Sequence, residues 1–136
     1  MAVQALSSNN KDFPYEQVKE LYIKNKEFFR DSDYPFEDFV KDSKGHLWAY
    51  IEDEKLIGYI FMHTFKDDSC CLSGNSNRKC FKYLEEIING TCGYYFTHYE
   101  INKIYSITDY KHAQLVLKRA GFLQIDSDKF LKERGQ

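Results

Sequence analysis

The 136-residue sequence has few of the features that mark several large classes of protein. It has two prolines and four cysteines, its formal net charge is −2, and no apolar run approaches the ~18 residues of a membrane-spanning helix. The small net charge provides no long-range field that would attract nucleic acid or an anionic membrane. Residues 1–10 also lack the basic start and apolar run of a secretory signal. We therefore expect a cytosolic protein that is not secreted, with neither a membrane nor a nucleic acid as its partner.

Its cysteines and histidines form no metal-binding pattern. Cys70 and Cys71 are adjacent, so on a strand they point to opposite faces, and the sequence has no Cys-x-x-Cys pair. Free cysteines are among the most buried residue types, so we expect structural thiols, with a reactive Cys80 as the minority alternative. The histidines are dispersed along the chain as His46, His63, His98 and His112. The sequence therefore predicts no metal site.

Aromatic residues are abundant, with 11 Phe and 11 Tyr in a chain that is 43% hydrophobic. A chain of this length buries roughly 65–70% of the surface that its unfolded form exposes, and these rings supply large apolar groups for a core. We therefore expect one domain over residues 12–136. Residues 1–11 are polar and aperiodic, and we expect them to form a flexible N-terminal arm.

Hydrophobic periodicity and turn residues predict an alternation of helices and strands. The first half of the chain is predicted to form a helix capped by Asp12 and opened by Pro14, a second helix opened by Pro35, and a hairpin of Leu47–Ile51 and Leu56–Met62. A strand at Ser69–Ser73 follows, then a helix that carries Leu84, Ile87 and Ile88 and continues to about His98, and then a strand at Lys103–Thr108. The last elements are a helix capped by Asp109 and ended by Gly121, and a hairpin of Phe122–Ile125 and Lys129–Leu131. The central strand, helix and strand require a right-handed crossover. Ser69–Ser73 and Lys103–Thr108 should therefore be parallel neighbours in a mixed α/β sheet.

This order of elements, with a late helix that ends Lys118-Arg119-Ala120-Gly121-Phe122, resembles the GCN5-related N-acetyltransferase (GNAT) fold over Tyr15–Leu131. The resemblance implies a single-domain acyl-CoA N-acyltransferase fold with acetyl-CoA as its cofactor. In that family a loop after the fourth strand and the following helix N-terminus hold the pyrophosphate through backbone N–H groups. The resemblance assigns cofactor binding to Leu72, Gly74, Asn75, Arg78, Lys79 and Cys80.

The chain departs from the family pattern at several of these positions. Asn75 stands at a Gln/Arg position, and Arg78 and Cys80 stand where the family has glycine or another small residue. Leu117 replaces the tyrosine that protonates the leaving thiolate, and Ser69–Ser73 has no carboxylate to act as general base. The catalytic residues are therefore left unassigned. The substitutes that the sequence offers are Glu52, His63, Asp67 and Asp68 as bases, and Cys80, Tyr110 and His112 as proton donors.

The basic pair and the glycine of this loop each carry a further prediction. Arg78 and Lys79 precede a predicted helix, where a positive charge opposes the helix dipole. They indicate a bound anion, a solvated basic turn, or an ion pair with Glu85 or a neighbouring loop. Gly74 is predicted to supply a positive φ or a bulge where the strand leaves the sheet.

A narrower resemblance combines Leu72-Ser73-Gly74, the pair Arg78-Lys79 and a late helix that ends Leu117-Lys118-Arg119-Ala120-Gly121. This combination is similar to the small GNAT-like internal virion proteins of short-tailed phages (podoviruses). It implies a role in virion assembly or as an internal virion component, with other virion or host proteins as partners and a location in the virion or the host cytoplasm.

Two hypotheses follow from these resemblances. The favoured one is a catalytically degenerate phage protein without a cofactor, for which acetyl-CoA should shift the melting temperature little or not at all. The alternative is an active acetyl-CoA-dependent N-acetyltransferase acting on a small-molecule amine or a protein lysine. In that case Arg78 and Lys79 would hold the pyrophosphate, and Ser69–Ser73 would pair with the pantetheine.

Overall fold

The structure, a computed structural model, describes residues 3–25, 35–77 and 83–135. Within these ranges the chain forms seven strands and four helices. In chain order they are β1 (Gln4–Ser7), α1 (Tyr15–Lys24), α2 (Phe36–Asp42), β2 (Leu47–Glu52), β3 (Lys55–Lys66), β4 (Ser69–Ser76), α3 (Leu84–His98), β5 (Lys103–Ile107), α4 (Lys111–Arg119), β6 (Leu123–Gln124) and β7 (Lys129–Glu133).

The strands form one mixed sheet in the order β1-β2-β3-β4-β5-β7-β6. β4 and β5 are parallel, in register from Ser69↔Lys103 to Cys71↔Tyr105. The pairs β1/β2, β2/β3, β5/β7 and β6/β7 are antiparallel. The predicted mixed α/β class and the predicted parallel neighbours are both confirmed.

The chain divides into two compact units. Unit one consists of Met1–Phe61 and Gly74–Phe81, and unit two consists of Met62–Ser73 and Lys82–Gln136. Strands β3 and β4 are therefore each shared between the units.

Unit one has an aromatic core. Tyr22 of α1 stacks on Phe39 of α2 with their ring centroids 4.9 Å apart, and Phe39 meets Phe61 of β3 edge-on at 4.6 Å. Val18 and Leu47 are fully buried in the same cluster. Offset and edge-to-face aromatic pairs of this kind add to the stabilisation that burial alone provides. Both short helices are thus held to the sheet by buried aromatic and aliphatic side chains.

The N-terminal segment of unit one differs from the predicted flexible arm. Gln4–Ser7 form β1, which pairs with β2 through Leu6↔Ala49 and its neighbours. Leu6 is buried, and the Ser7 hydroxyl donates to the Gly45 carbonyl at 2.8 Å. A four-residue strand with one buried side chain has too short a pattern to be recognised before its distant partner is known. The domain boundary at residue 12 stays a prediction.

The β2–β3 hairpin was predicted correctly, and its turn has an unusual backbone. Asp53 and Glu54 both have positive φ, at 51° and 64°. Two consecutive left-handed residues give a type I′ turn, whose twist matches that of the strands it joins.

The helices occur where the periodicity predicted them, but two predicted caps are wrong. Neither Asp12 nor Asp109 caps a helix, because α1 starts after Pro14 and α4 after Tyr110, and neither helix has a side-chain cap. In the loop before α4 the Thr108 hydroxyl accepts from the Tyr110 N–H at 3.1 Å, which orders this turn without capping the helix. No helix in the described part of the chain is long and apolar enough to cross a membrane.

The core of unit two lies between its helices and one face of its sheet strands. Tyr95 of α3, Ile104 of β5 and Phe130 of β7 are fully buried. α3 continues through Gly90 and Gly93 to His98, as predicted. Lys132 of β7 is also buried, and its ammonium donates to the Asn89 side-chain oxygen of α3 at 2.6 Å and to the Ala120 carbonyl after α4 at 2.5 Å.

Candidate functional site

The candidate site lies in unit two, where β4 loses its parallel partner. The pairing of β4 with β5 covers three residue pairs and ends at Cys71↔Tyr105, although both strands continue. The next β4 carbonyl, that of Leu72, accepts from the side-chain hydroxyl of Ser106 at 2.9 Å. A side chain thus takes the place of a backbone donor at this point. The backbone of β4 after Cys71 can therefore serve as an edge for an extended ligand that carries amide groups.

A histidine and a serine meet beside this edge. His63 of β3 and Ser73 of β4 are joined by a 2.8 Å hydrogen bond between Nε2 and Oγ. The other ring nitrogen, Nδ1, is 2.8 Å from the hydroxyl oxygen of Thr64. Burial lowers the pKa of His63, so the ring is neutral at neutral pH. The pair therefore offers an unprotonated imidazole linked to a hydroxyl.

Thr64 holds this arrangement through an uncommon backbone conformation. Its φ is +55°, in the left-handed region that β-branched residues seldom adopt. Its side chain also opposes the rise that burial causes in the Cys71 pKa. Thr64, His63 and Ser73 thus form one hydrogen-bonded series on the β3–β4 hairpin.

The sequence offered four substitutes for a general base. Among them, His63 is the residue whose side chain hydrogen-bonds Ser73, in the part of β4 that no longer pairs with β5. Asp68 accepts from the Asn102 side chain at 3.2 Å, and its carbonyl accepts from the backbone N–H groups of Asn102 and Lys103. Asp67 has a φ of +55° in the same turn. Both aspartates therefore serve the β3–β4 turn, and Glu52 lies in unit one.

The predicted cofactor-binding residues have different surroundings. The Leu72 side chain is buried, so only its backbone can face a ligand. In unit one, the Asn75 amide donates to the Tyr59 hydroxyl at 2.8 Å, which gives Asn75 a structural role. Arg78, Lys79 and Cys80 lie outside the described residues.

One of the two alternatives predicted for Gly74 is wrong. Gly74 does not have a positive φ, since the described glycines with positive φ are Gly45, Gly121 and Gly135. The bulge stays a prediction. A Cβ on Gly74 would instead lie 2.3 Å from the Tyr59 carbonyl oxygen, in the backbone of the neighbouring strand. The glycine is required because two backbones approach closely, so its role is one of packing.

Leu117 is a core residue of unit two. Its relative exposure is 4%, and its carbonyl accepts from the N–H of Phe122 at 3.0 Å. The residue at the position of the family's tyrosine therefore packs and can donate no proton. Tyr110, which precedes α4, is 40% exposed, and its ring lies 6.0 Å from that of His112.

The buried thiols offer no nucleophile at neutral pH. Burial raises the pKa of Cys70 and of Cys92 to about 12, and burial also raises the pKa of Cys71. A thiol with so high a pKa stays protonated and unreactive. Across residues 3–25, 35–77 and 83–135 there is no group of three His, Cys, Asp or Glu side chains that could hold a metal ion.

No protein-family model and no curated protein matches the sequence. Solved structures do match the fold over nearly the whole chain. An acetyltransferase of the GNAT family from Bacillus anthracis has a TM-score of 0.77 at 15% identity, covering 100% of this chain and 97% of that one. The N-acetyltransferase PseH of Campylobacter jejuni, in complex with acetyl coenzyme A, has a TM-score of 0.70 at 13% identity, with coverage of 98% and 100%.

A third match is the spermidine N-acetyltransferase of Vibrio cholerae in complex with CoA and spermine, with a TM-score of 0.72 at 13% identity and coverage of 97% and 95%. Identities this low establish the fold alone. The fold is therefore that of the GNAT acetyltransferases, as the sequence resemblance implied. The matches give no support to the phage-specific part of that resemblance.

Proposed function

We propose that the protein is an N-acyltransferase that binds acetyl-CoA along β4 and transfers the acetyl group to an amine. The observation that carries this proposal is the early end of the β4–β5 pairing at Cys71↔Tyr105, which leaves a strand edge within the sheet. The likeness to acetyltransferases that hold acetyl-CoA or CoA supports the same assignment. This proposal takes up the hypothesis that the sequence analysis placed second.

The proposed contacts follow the sequence assignment. The pantetheine amides would pair with the β4 backbone at Leu72 and beyond. Arg78 and Lys79 would neutralise the pyrophosphate, and Gly74, Asn75 and Cys80 would complete the segment that runs past it. Acetyl-CoA supplies the activated acyl group, so the protein has to position an amine against the thioester and accept its proton.

The proposed reaction would lack the general acid that the tyrosine provides in the family. Because Leu117 donates no proton, CoA would leave as a thiolate that takes its proton from water. Positioned acid catalysis contributes ~10²–10⁴-fold, so we expect a slower enzyme than one with a tyrosine in this place.

A second candidate is the catalytically degenerate virion protein. The observation that favours it is Leu117, since its burial removes the proton donor, together with the side chains of Arg78 and Cys80 at positions where the family has small residues. This candidate would have other virion or host proteins as partners and no cofactor. Mass spectrometry of purified virions and assembly intermediates tests it directly, and absence from both would reject it.

Acetyl-CoA binding separates the two candidates. A ligand present at 100 times its dissociation constant stabilises the folded state by ~2.7 kcal/mol, so acetyl-CoA should raise the melting temperature in a saturable way. Arg78→Glu should abolish this shift, because it places a negative charge beside the proposed pyrophosphate. Arg119→Glu, the same exchange at an exposed position of α4, should retain it. A melting temperature that millimolar acetyl-CoA leaves unchanged would reject the enzyme and favour the virion protein.

A further inference from the structure

The hydrogen-bonded series on the β3–β4 hairpin has a direction. Nδ1 of His63 lies 2.8 Å from the Thr64 hydroxyl oxygen. In the tautomer that carries its proton on Nδ1, the Thr64 oxygen accepts the Nδ1–H hydrogen bond. Nε2 is then the unprotonated nitrogen, and it accepts from the Ser73 hydroxyl at 2.8 Å.

Ser73 is the link between this series and the proposed acyl site. It stands two residues beyond Cys71, the last β4 residue paired with β5, and one residue beyond the Leu72 carbonyl that Ser106 binds. Its side chain is partly exposed, whereas that of Leu72, on the other face of the strand, is buried. A group on the exposed face of β4 at this point can therefore reach Ser73.

We propose that His63, acting through Ser73, is the general base that accepts the proton of the acceptor amine. The inference rests on the proposed function, because it needs a thioester bound along β4. It assigns the role that the sequence left open, on a strand next to the one where many relatives carry a carboxylate. Burial lowers the pKa of His63 and so keeps the ring in the form that a base requires.

The step balances as follows. The neutral amine attacks the thioester carbonyl carbon and forms the C–N bond. Its N–H proton passes to the Ser73 oxygen while the Ser73 proton passes to Nε2 of His63. The C–S bond breaks, and CoA leaves as a thiolate with the electron pair. The imidazolium then returns its proton to water, and the thiolate is protonated by water.

The test uses the full chain with acetyl-CoA and glycinamide, a small, weakly basic amine supplied in large excess. CoA release is followed by chromatography. His63→Gln keeps hydrogen-bonding groups for Thr64 and Ser73 but removes the base, so turnover should fall by 10²-fold or more. Ser73→Ala should lower turnover as well. His98→Gln, the same exchange at the exposed end of α3, should leave it unchanged. The acetyl-CoA-induced melting shift should be the same in all four proteins.

Each other outcome has a defined meaning. Turnover in His63→Gln within a few-fold of wild type overturns the inference, and so does a wild-type protein that binds acetyl-CoA without acetylating glycinamide. An acetyl group found on Ser73 by intact-mass and peptide analysis also overturns it, because Ser73 would then be a nucleophile. Failure of the wild-type protein to bind acetyl-CoA at all instead removes the proposed function on which the inference rests.

Discussion

Lys132 shows how a single charged residue can join three elements of unit two. Its ammonium is buried and donates to Asn89 on α3 and to the Ala120 carbonyl after α4. A positive charge at the carboxyl end of a helix also interacts favourably with the helix dipole. The lysine therefore stabilises unit two by linking α3 to β7 and by satisfying the buried carbonyl of Ala120.

We predict that Lys132→Met lowers the free energy of unfolding by about 2 kcal/mol, since hydrogen bonds to charged groups contribute ~1.5–3 kcal/mol and the Ala120 carbonyl would lose its donor. Urea denaturation followed by circular dichroism measures this change. Lys66→Met, the same exchange at the exposed end of β3, should change the free energy of unfolding by less than ~0.5 kcal/mol. Equal losses in the two variants would contradict the role given to Lys132.

At the scale of residues, the sequence was a partial guide to the candidate site. It identified Leu117 as a residue that donates no proton, and it offered His63 as one of four substitutes for the base. It could not join His63 to Ser73. Counting back from the Asp67–Asp68 turn places His63 opposite Leu72 in the β3–β4 hairpin. In the structure Thr64 has a left-handed φ, and the His63 ring hydrogen-bonds the side chain of Ser73. A β-branched residue gives no sign in the sequence that it will adopt such a conformation.

At the scale of elements, the glycines have opposite roles in strand and helix. Gly74 on β4 lies so close to β3 that a Cβ would come within 2.3 Å of the Tyr59 carbonyl oxygen. Gly90 on α3 has no neighbouring atom within 4 Å of the place a Cβ would occupy. The close approach of β3 and β4 requires Gly74, whereas Gly90 weakens α3.

Gly74→Ala should therefore destabilise the protein by ~1–3 kcal/mol, because the β3 backbone would have to move. Gly90→Ala should stabilise it by ~0.5–1 kcal/mol, since alanine favours a helix and meets open space here. Thermal melts of the two variants, made by the same chemical exchange, provide the comparison. Changes of the same sign would refute this account of the two positions.

The elements themselves were largely predictable. The β2–β3 hairpin, α3 as far as His98 and the parallel pairing of β4 with β5 followed from periodicity and from the handedness of crossovers. The misses were features that depend on distant partners. β1, for example, is defined by its pairing with β2.

At the scale of the whole molecule, two histidines couple stability to pH. Burial lowers the pKa of His46 and of His63 below the ordinary value of 6.5. The unfolded chain therefore binds protons at a higher pH than the folded protein does. Stability must fall as the pH drops below about 6.5 and must continue to fall until the folded-state pKa values are reached.

We predict a lower free energy of unfolding at about pH 5.5 than at about pH 7.5, before carboxylates of ordinary pKa begin to titrate. Urea denaturation at the two pH values measures the difference. In the double variant His46→Gln/His63→Gln the difference should shrink, because the two groups that bind protons more weakly in the folded state are gone. A wild-type protein that is equally stable at both pH values would disprove the coupling.

The early end of the β4–β5 pairing also bears on solubility. A strand that stops pairing within a sheet behaves from that point as an edge, and exposed edges invite a strand of another molecule to add to them. In β4 the residues that follow Leu72 are Ser73, Gly74 and Asn75, small or polar types with low preference for extended structure. We therefore expect this composition to discourage the addition of a strand from another molecule at the unpaired part of β4.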